Sequence, residues 1–264
     1  MKTINMLIVS ALLGTSGAAC AAVLPPVPQP ETAQEERLPE LRHEHTDGCA
    51  ALNPDTAHIV CIIDKSGSMN RLTSDTIGGF NGFIERQKKE KGEATVTTYL
   101  FNDKVGVLHE AAPLRTLPAI TEREYRAGGT TALLDAVGMA ITDADKGFAA
   151  RKTCPASEPT IFLIITDGLE NASAQYTRGA IRKLISDAQE FYKWQFVFMG
   201  ANIDSFAEAS SIGINRSATM DYSADGDGIG RAFESAGRAV KAFRAAPTEA
   251  IGEDWKKDDE NGKR

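Results

Sequence analysis

Thr160 to Thr166 (Thr-Ile-Phe-Leu-Ile-Ile-Thr) restricts the fold more than any other stretch of the chain. Ile161 to Ile165 contain no polar residue, so a strand here has no side to turn toward water. Neighbouring side chains of a strand point to opposite faces, and both faces must therefore be covered, as in a parallel sheet with helices on each side.

The flanking pattern agrees. Residues 58–63 form a compact β-branched run ending in Asp64. Residues 73–91 carry helical spacing, with Ile77, Phe80, Phe83 and Ile84 as the apolar stripe. Residues 95–101 read as a strand, Asn102-Asp103 as a tight turn, and 104–109 as an antiparallel return. Helices follow at 131–148, 178–192, 205–211 and 229–244, with strands at 194–199 and 218–222. Strands separated by helices require crossovers that place helices on both faces. The expected class is α/β, doubly wound, with a mostly parallel six-stranded sheet and one antiparallel edge strand.

The ends differ in composition. Lys2 followed by the apolar 6–13 and the small residues 14–22 has the order of a signal peptide, and the run is too short to span a bilayer. Cleavage after Ala21 is expected. Ala18-Ala19-Cys20 also resembles a bacterial lipobox, with Gly17 in place of its usual Leu, so anchoring through a lipidated Cys20 is the alternative. Residues 22–56 read as a Pro-rich and charged linker with little to bury, and 246–264 as a charged, unstructured C-terminal tail. The net charge of −7 has the wrong sign for a sequence-independent grip on nucleic acid.

In such a sheet, ligands bind beyond the carboxyl ends of the strands. Asp64 stands there inside Asp64-Lys65-Ser66-Gly67-Ser68, and Asp167 inside Thr166-Asp167-Gly168. The loop Gly128-Gly129-Thr130-Thr131 approaches the same crest. Two carboxylates and three hydroxyls offer only oxygen donors, which suits Mg2+, Mn2+ or Ca2+ and not Zn2+.

These motifs, Asp64-x-Ser66-x-Ser68, Thr131 and Asp167, resemble the metal-ion-dependent adhesion site of von Willebrand factor type A (vWA) domains of the bacterial exported kind. Gly128 to Ala136 and Ile164 to Gly168 stand in similar context, and the likeness spans residues 57–245. It implies Ser66, Ser68 and a threonine as hydroxyl ligands, with Asp64 and Asp167 acting largely through water. Thr131 matches the family's Thr-x-Leu, and Thr130 is the neighbouring alternative. It further implies a divalent cation, Mg2+ above all, and a protein ligand that supplies a carboxylate to it. The function expected is non-catalytic, metal-dependent protein binding in the periplasm, cell envelope or extracellular space. The alternative is an assembly or regulatory subunit of a larger enzyme or chaperone complex. With the site at a surface crest, alanine at Asp64 or either serine is expected to leave the fold intact.

Other readings are weaker. Ser223-x-Asp225-x-Asp227-Gly228 with Glu234 imitates an EF-hand loop but begins with Ser and lacks an entering helix. His43, His45, His58 and His109 are badly placed to serve a serine nucleophile, and His43-Glu44-His45 matches no zinc spacing. A dehalogenase-like site needs an aspartate where Ser66 stands. Cys61 reads as a small buried hydrophobe. In the family's strand order, the strands that follow Cys49 and Cys154 are neighbours, so these two cysteines approach one end of the sheet and form a candidate disulfide in an oxidising compartment.

Overall fold

A computed structural model describes residues 40–41, 53, 55–151, 153–247 and 249–256. The signal peptide, Cys20, most of the linker with Cys49, and residues 257–264 lie outside the described residues.

Among the described residues, six strands form one sheet: β1 (Thr56–Asp64), β2 (Glu93–Phe101), β3 (Val105–Pro113), β4 (Thr160–Thr166), β5 (Gln195–Gly200) and β6 (Thr219–Asp221). Their order is β3-β2-β1-β4-β5-β6, and β3 alone runs antiparallel. Among the described residues, four α-helices connect strands, α1 (Thr73–Gln87), α2 (Leu133–Arg151), α3 (Arg178–Phe191) and α4 (Ser205–Ser211), and α5 (Gly226–Ala245) follows the last strand.

The apolar strands are divided between two cores. Ile59, Cys61 and Ile63 of β1, with Ile161, Leu163 and Ile165 of β4, pack against Phe80 and Phe83 of α1 and Phe233 and Phe243 of α5. Val60, Ile62, Phe162 and Ile164 pack on the other face with α2, α3 and α4. This is the two-sided burial that the uninterrupted run demanded.

Three segments differ from expectation. Helix α5 begins at Gly226, because Asp225 caps it by accepting a hydrogen bond from Gly228 N (2.7 Å); the EF-hand imitation is a capping turn. The linker is not wholly solvated, for Leu41 is buried in the second core. The tail expected to be unstructured folds back through Lys256: Trp255 is buried, its Nε1 donates to Ser217 O (3.0 Å), and Arg238 Nε donates to Trp255 O (3.0 Å). An indole surrounded in sequence by charges gains more from this apolar seat than from water.

His58, at the amino end of β1, is buried, with Nε2 2.8 Å from Thr97 Oγ1. Burial, assisted by the Arg151 charge, pushes its pKa from the usual 6.5 down to about 4. The unfolded chain therefore binds a proton first as pH falls, and this contribution to stability, complete above pH 6.5, is lost between 6.5 and about 4. Urea unfolding should show wild type losing about 2–3 kcal/mol more than His58→Gln between about pH 7 and 4.5. Identical pH slopes would refute the buried neutral imidazole.

Candidate metal site

The site forms where β1, β4 and the segment before α2 end together. Lys65 N donates to Phe101 O (2.7 Å), extending the β1–β2 pairing one residue before the chain turns. Asp64 then organises the turn. Its Oδ1 accepts from Ser66 N (2.6 Å), and its Oδ2 accepts from the Thr166 hydroxyl at the end of β4 (2.6 Å). Met69 and Leu72, buried in the helical turn Gly67–Leu72, anchor the loop from below.

Ser68 Oγ donates to Asp167 Oδ1 (2.5 Å), and the Ser66 and Ser68 hydroxyl oxygens lie 3.2 Å apart. Asp167 Oδ2 is buried without a hydrogen-bond partner. The third loop is clipped to the first, with Gly67 N donating to Gly129 O (3.0 Å) and Gly128 N to Lys65 O (2.8 Å). Gly128 and Gly129 adopt φ of 158° and 82°; a side chain at Gly129 would be strained. Thr131 is pinned by Asn171, which accepts from Thr131 N at Oδ1 (2.9 Å) and donates from its own N to Thr131 O (3.0 Å). A Cβ on Gly168 would lie 3.4 Å from Thr131 Oγ1 and 3.8 Å from Ser68 Oγ, so both hydroxyls converge on that glycine. Thr131 is buried, whereas Thr130 is exposed.

All five residues singled out in the sequence thus meet at one crest, but not all at the surface. Asp64, Ser66, Thr131 and Asp167 are buried, and Ser68 is exposed. The expectation that alanine at Asp64 leaves the fold untouched is therefore corrected: its removal strands the buried Ser66 amide and leaves the Thr166 hydroxyl only the longer contact to Gly168 O (3.1 Å).

Burial raises the Asp64 pKa and the nearby Asp167 charge adds to the rise, against hydrogen bonds from Thr166 and Ser66. Asp167 is likewise raised by burial, opposed by Ser68 and by the Arg71 charge. Two partly desolvated carboxylates, three hydroxyls and one unpartnered carboxylate oxygen make a donor set that fits a hard divalent cation. Among the described residues, no three His, Cys, Asp or Glu side chains gather into a metal-binding group. His58 and His109 are instead held by Thr97 and Thr98 on β2.

Sequence reasoning missed the supporting residues. Tyr125 OH donates to Asp64 O (2.6 Å) and Tyr222 OH to Thr166 O (3.0 Å), and burial raises both phenols so that they remain neutral donors. Asn102 Nδ2 donates to Gly128 O (2.7 Å). Leu169, two residues past Asp167, is an exposed apolar side chain.

No protein-family model matches the chain, and neither does the sequence of any curated protein. Solved structures are similar in fold. Proximal thread matrix protein 1 from the mussel byssus aligns with a TM-score of 0.50 at 13% identity, over 70% of this chain and 46% of that protein. The same protein with a zinc-occupied MIDAS motif aligns at 0.50 and 14%, over 75% and 48%. A von Willebrand factor type A structure from Catenulispora acidiphila aligns at 0.48 and 16%, over 75% and 43%. This chain spans less than half of each of those three chains. The sheet order, the single antiparallel edge and the helices on both faces are those of the vWA fold.

Proposed function

We propose that the chain is a non-catalytic, metal-dependent protein-binding domain that is exported or held at the cell envelope. The observation that carries this reading is the buried, partnerless Asp167 Oδ2 beside the hydroxyls of Ser68 and Thr131. Ser66, Ser68 and Thr131 would hold a divalent cation, Mg2+ in the first place and Mn2+ or Ca2+ as substitutes, with Asp64 and Asp167 behind them. The zinc-occupied MIDAS motif of the mussel protein, similar in fold, supports a divalent cation as the ligand. Bound there, the cation would supply Lewis acidity toward a carboxylate from a protein ligand. Asp64 and Thr166 keep the loops aligned, and Tyr125 ties the 122–127 segment to the end of β1.

Mn2+ titration of the purified domain followed by electron paramagnetic resonance should show one bound ion. Partner capture from envelope extract should then be lost on chelation. No Mn2+ binding at millimolar concentration would sink the reading.

Export is part of the same proposal. Cys154 is disulfide-bonded and Cys61 is a free buried thiol, pushed by burial up to about 12. Asn53 N donates to Ser157 O (3.0 Å), which places Asn53, four residues after Cys49 in sequence, beside the turn Pro155–Ser157 that follows Cys154. We assign Cys49 as the Cys154 partner, as an oxidising compartment would allow. Mass spectrometry of the mature chain, with non-reducing peptide mapping, should find a start near Ala22 or a lipidated Cys20, and a Cys49–Cys154 peptide. An intact Met1 would refute export, and alkylatable thiols at both positions would refute the bridge.

A further inference from the structure

We infer that the partner presents a cluster of acidic residues, one carboxylate going to the metal and its neighbours going to an arginine rim beside the site. This rests on the proposed metal-dependent binding and adds the chemistry of what is bound. A shallow groove lined by Gly67, Ser68, Asn70 and Arg71 starts at the metal site itself. Asn70 also lines the adjoining groove, where Arg123 and Arg126 stand with Glu122. The two depressions therefore share a wall and run from Ser68 toward the 122–127 segment. That segment is fixed to the site by the Tyr125 hydroxyl on Asp64 O.

Arg71, Arg123 and Arg126 are all exposed, and among the described residues none of them forms an ion pair. Arg126 Nε donates only to the Glu122 carbonyl (3.2 Å), and Glu122 is the one carboxylate lining the groove. Arg71 faces Asp167 and Arg123 faces Glu124. With a divalent cation offsetting Asp64 and Asp167, three guanidiniums stand against Glu122 and Glu124, a small positive excess on a chain whose net charge is −7. Guanidinium forks match carboxylates in shape as well as charge. An acid-rich segment would thus meet complementary charge on leaving the metal, which speeds encounter and discriminates against partners with a solitary acid.

The test uses the domain with Mn2+ and two labelled Gly/Ser peptides of equal length, one with a single Asp and one with an Asp-Glu-Glu run, followed by fluorescence anisotropy. The triacidic peptide should bind about tenfold more tightly at ~50 mM salt, and the advantage should shrink by ~300 mM. Arg123→Gln with Arg126→Gln should erase that advantage and leave Mn2+ affinity unchanged. Equal, Mn2+-dependent binding of both peptides would overturn the rim and leave the metal reading standing. Triacidic binding that survives chelation would overturn the shared engagement of metal and rim. Failure of Mn2+ itself to bind would remove both proposals.

Discussion

Ser68→Ala is expected to lower Mn2+ or Mg2+ affinity by about 100-fold or more, while shifting the urea midpoint of the metal-free domain very little. Ser68 is exposed, so its truncation leaves no cavity, yet its hydroxyl is the group that meets Asp167. Asp167→Asn should also abolish binding, but with the opposite effect on the metal-free fold, which should become more stable because one of two neighbouring buried charges is gone. The sign follows from the raised carboxylate pKa values of Asp64 and Asp167. A raised carboxylate contributes stability that is fully present below its unfolded pKa and is lost as pH rises through the folded one. At neutral pH the metal-free site is therefore at its least stable, and a cation should stabilise it most. The rise in Tm on adding Mn2+ should be larger near pH ~7.5 than near pH ~5, and should vanish in Ser68→Ala. Unchanged affinity in Ser68→Ala, measured by calorimetry, would dismiss the assigned site.

Much of this arrangement could be read from the chain because its signals are local. The run 160–166 determined its own burial, and Asp64 and Asp167 stand where strand periodicity stops, so their place at strand ends followed from pattern alone. What escaped was the set of interactions joining distant segments. Tyr125 lies between Arg123 and Arg126 in a polar stretch, and nothing nearby announces that its hydroxyl reaches the Asp64 carbonyl. Leu41 and Trp255 each have one apolar neighbour at most within a turn, Leu38 and Ile251. Two such residues among charges are too few to establish a period, so only the finished core shows where they are buried. Helix α5 began earlier than its apolar stripe because Asp225, not a hydrophobic residue, determines the start.

Asp135 is the supporting residue whose loss should cost most. It lies in the first turn of α2, and its two carboxylate oxygens accept from three consecutive amides of the β4–α3 loop: Ala174 N, Gln175 N and Tyr176 N, each at 2.9 Å. Glu170 faces the other way, accepting from Leu134 N at the start of α2 (2.9 Å) and from Ala172 N and Ser173 N within its own loop. The loop that follows Asp167 and the helix that follows Thr131 are thus tied by reciprocal carboxylate–amide bonds, with Asn171 completing the connection at Thr131. A carboxylate bound by several amides is stabilising, and its deletion leaves partly buried N–H groups without acceptors. Asp135→Ala should therefore destabilise the domain by about 3–5 kcal/mol. It should also weaken Mn2+ binding by roughly tenfold, because Thr131 and Asp167 lose their common support. Asp135→Asn retains one acceptor oxygen and should fall between the two. This combined loss separates a supporting residue from a ligand, since Ser68→Ala loses binding with the fold preserved. Denaturation curves and Mn2+ titrations on the same three variants decide it: an Asp135→Ala domain as stable as wild type would mean that the loop is held by other contacts.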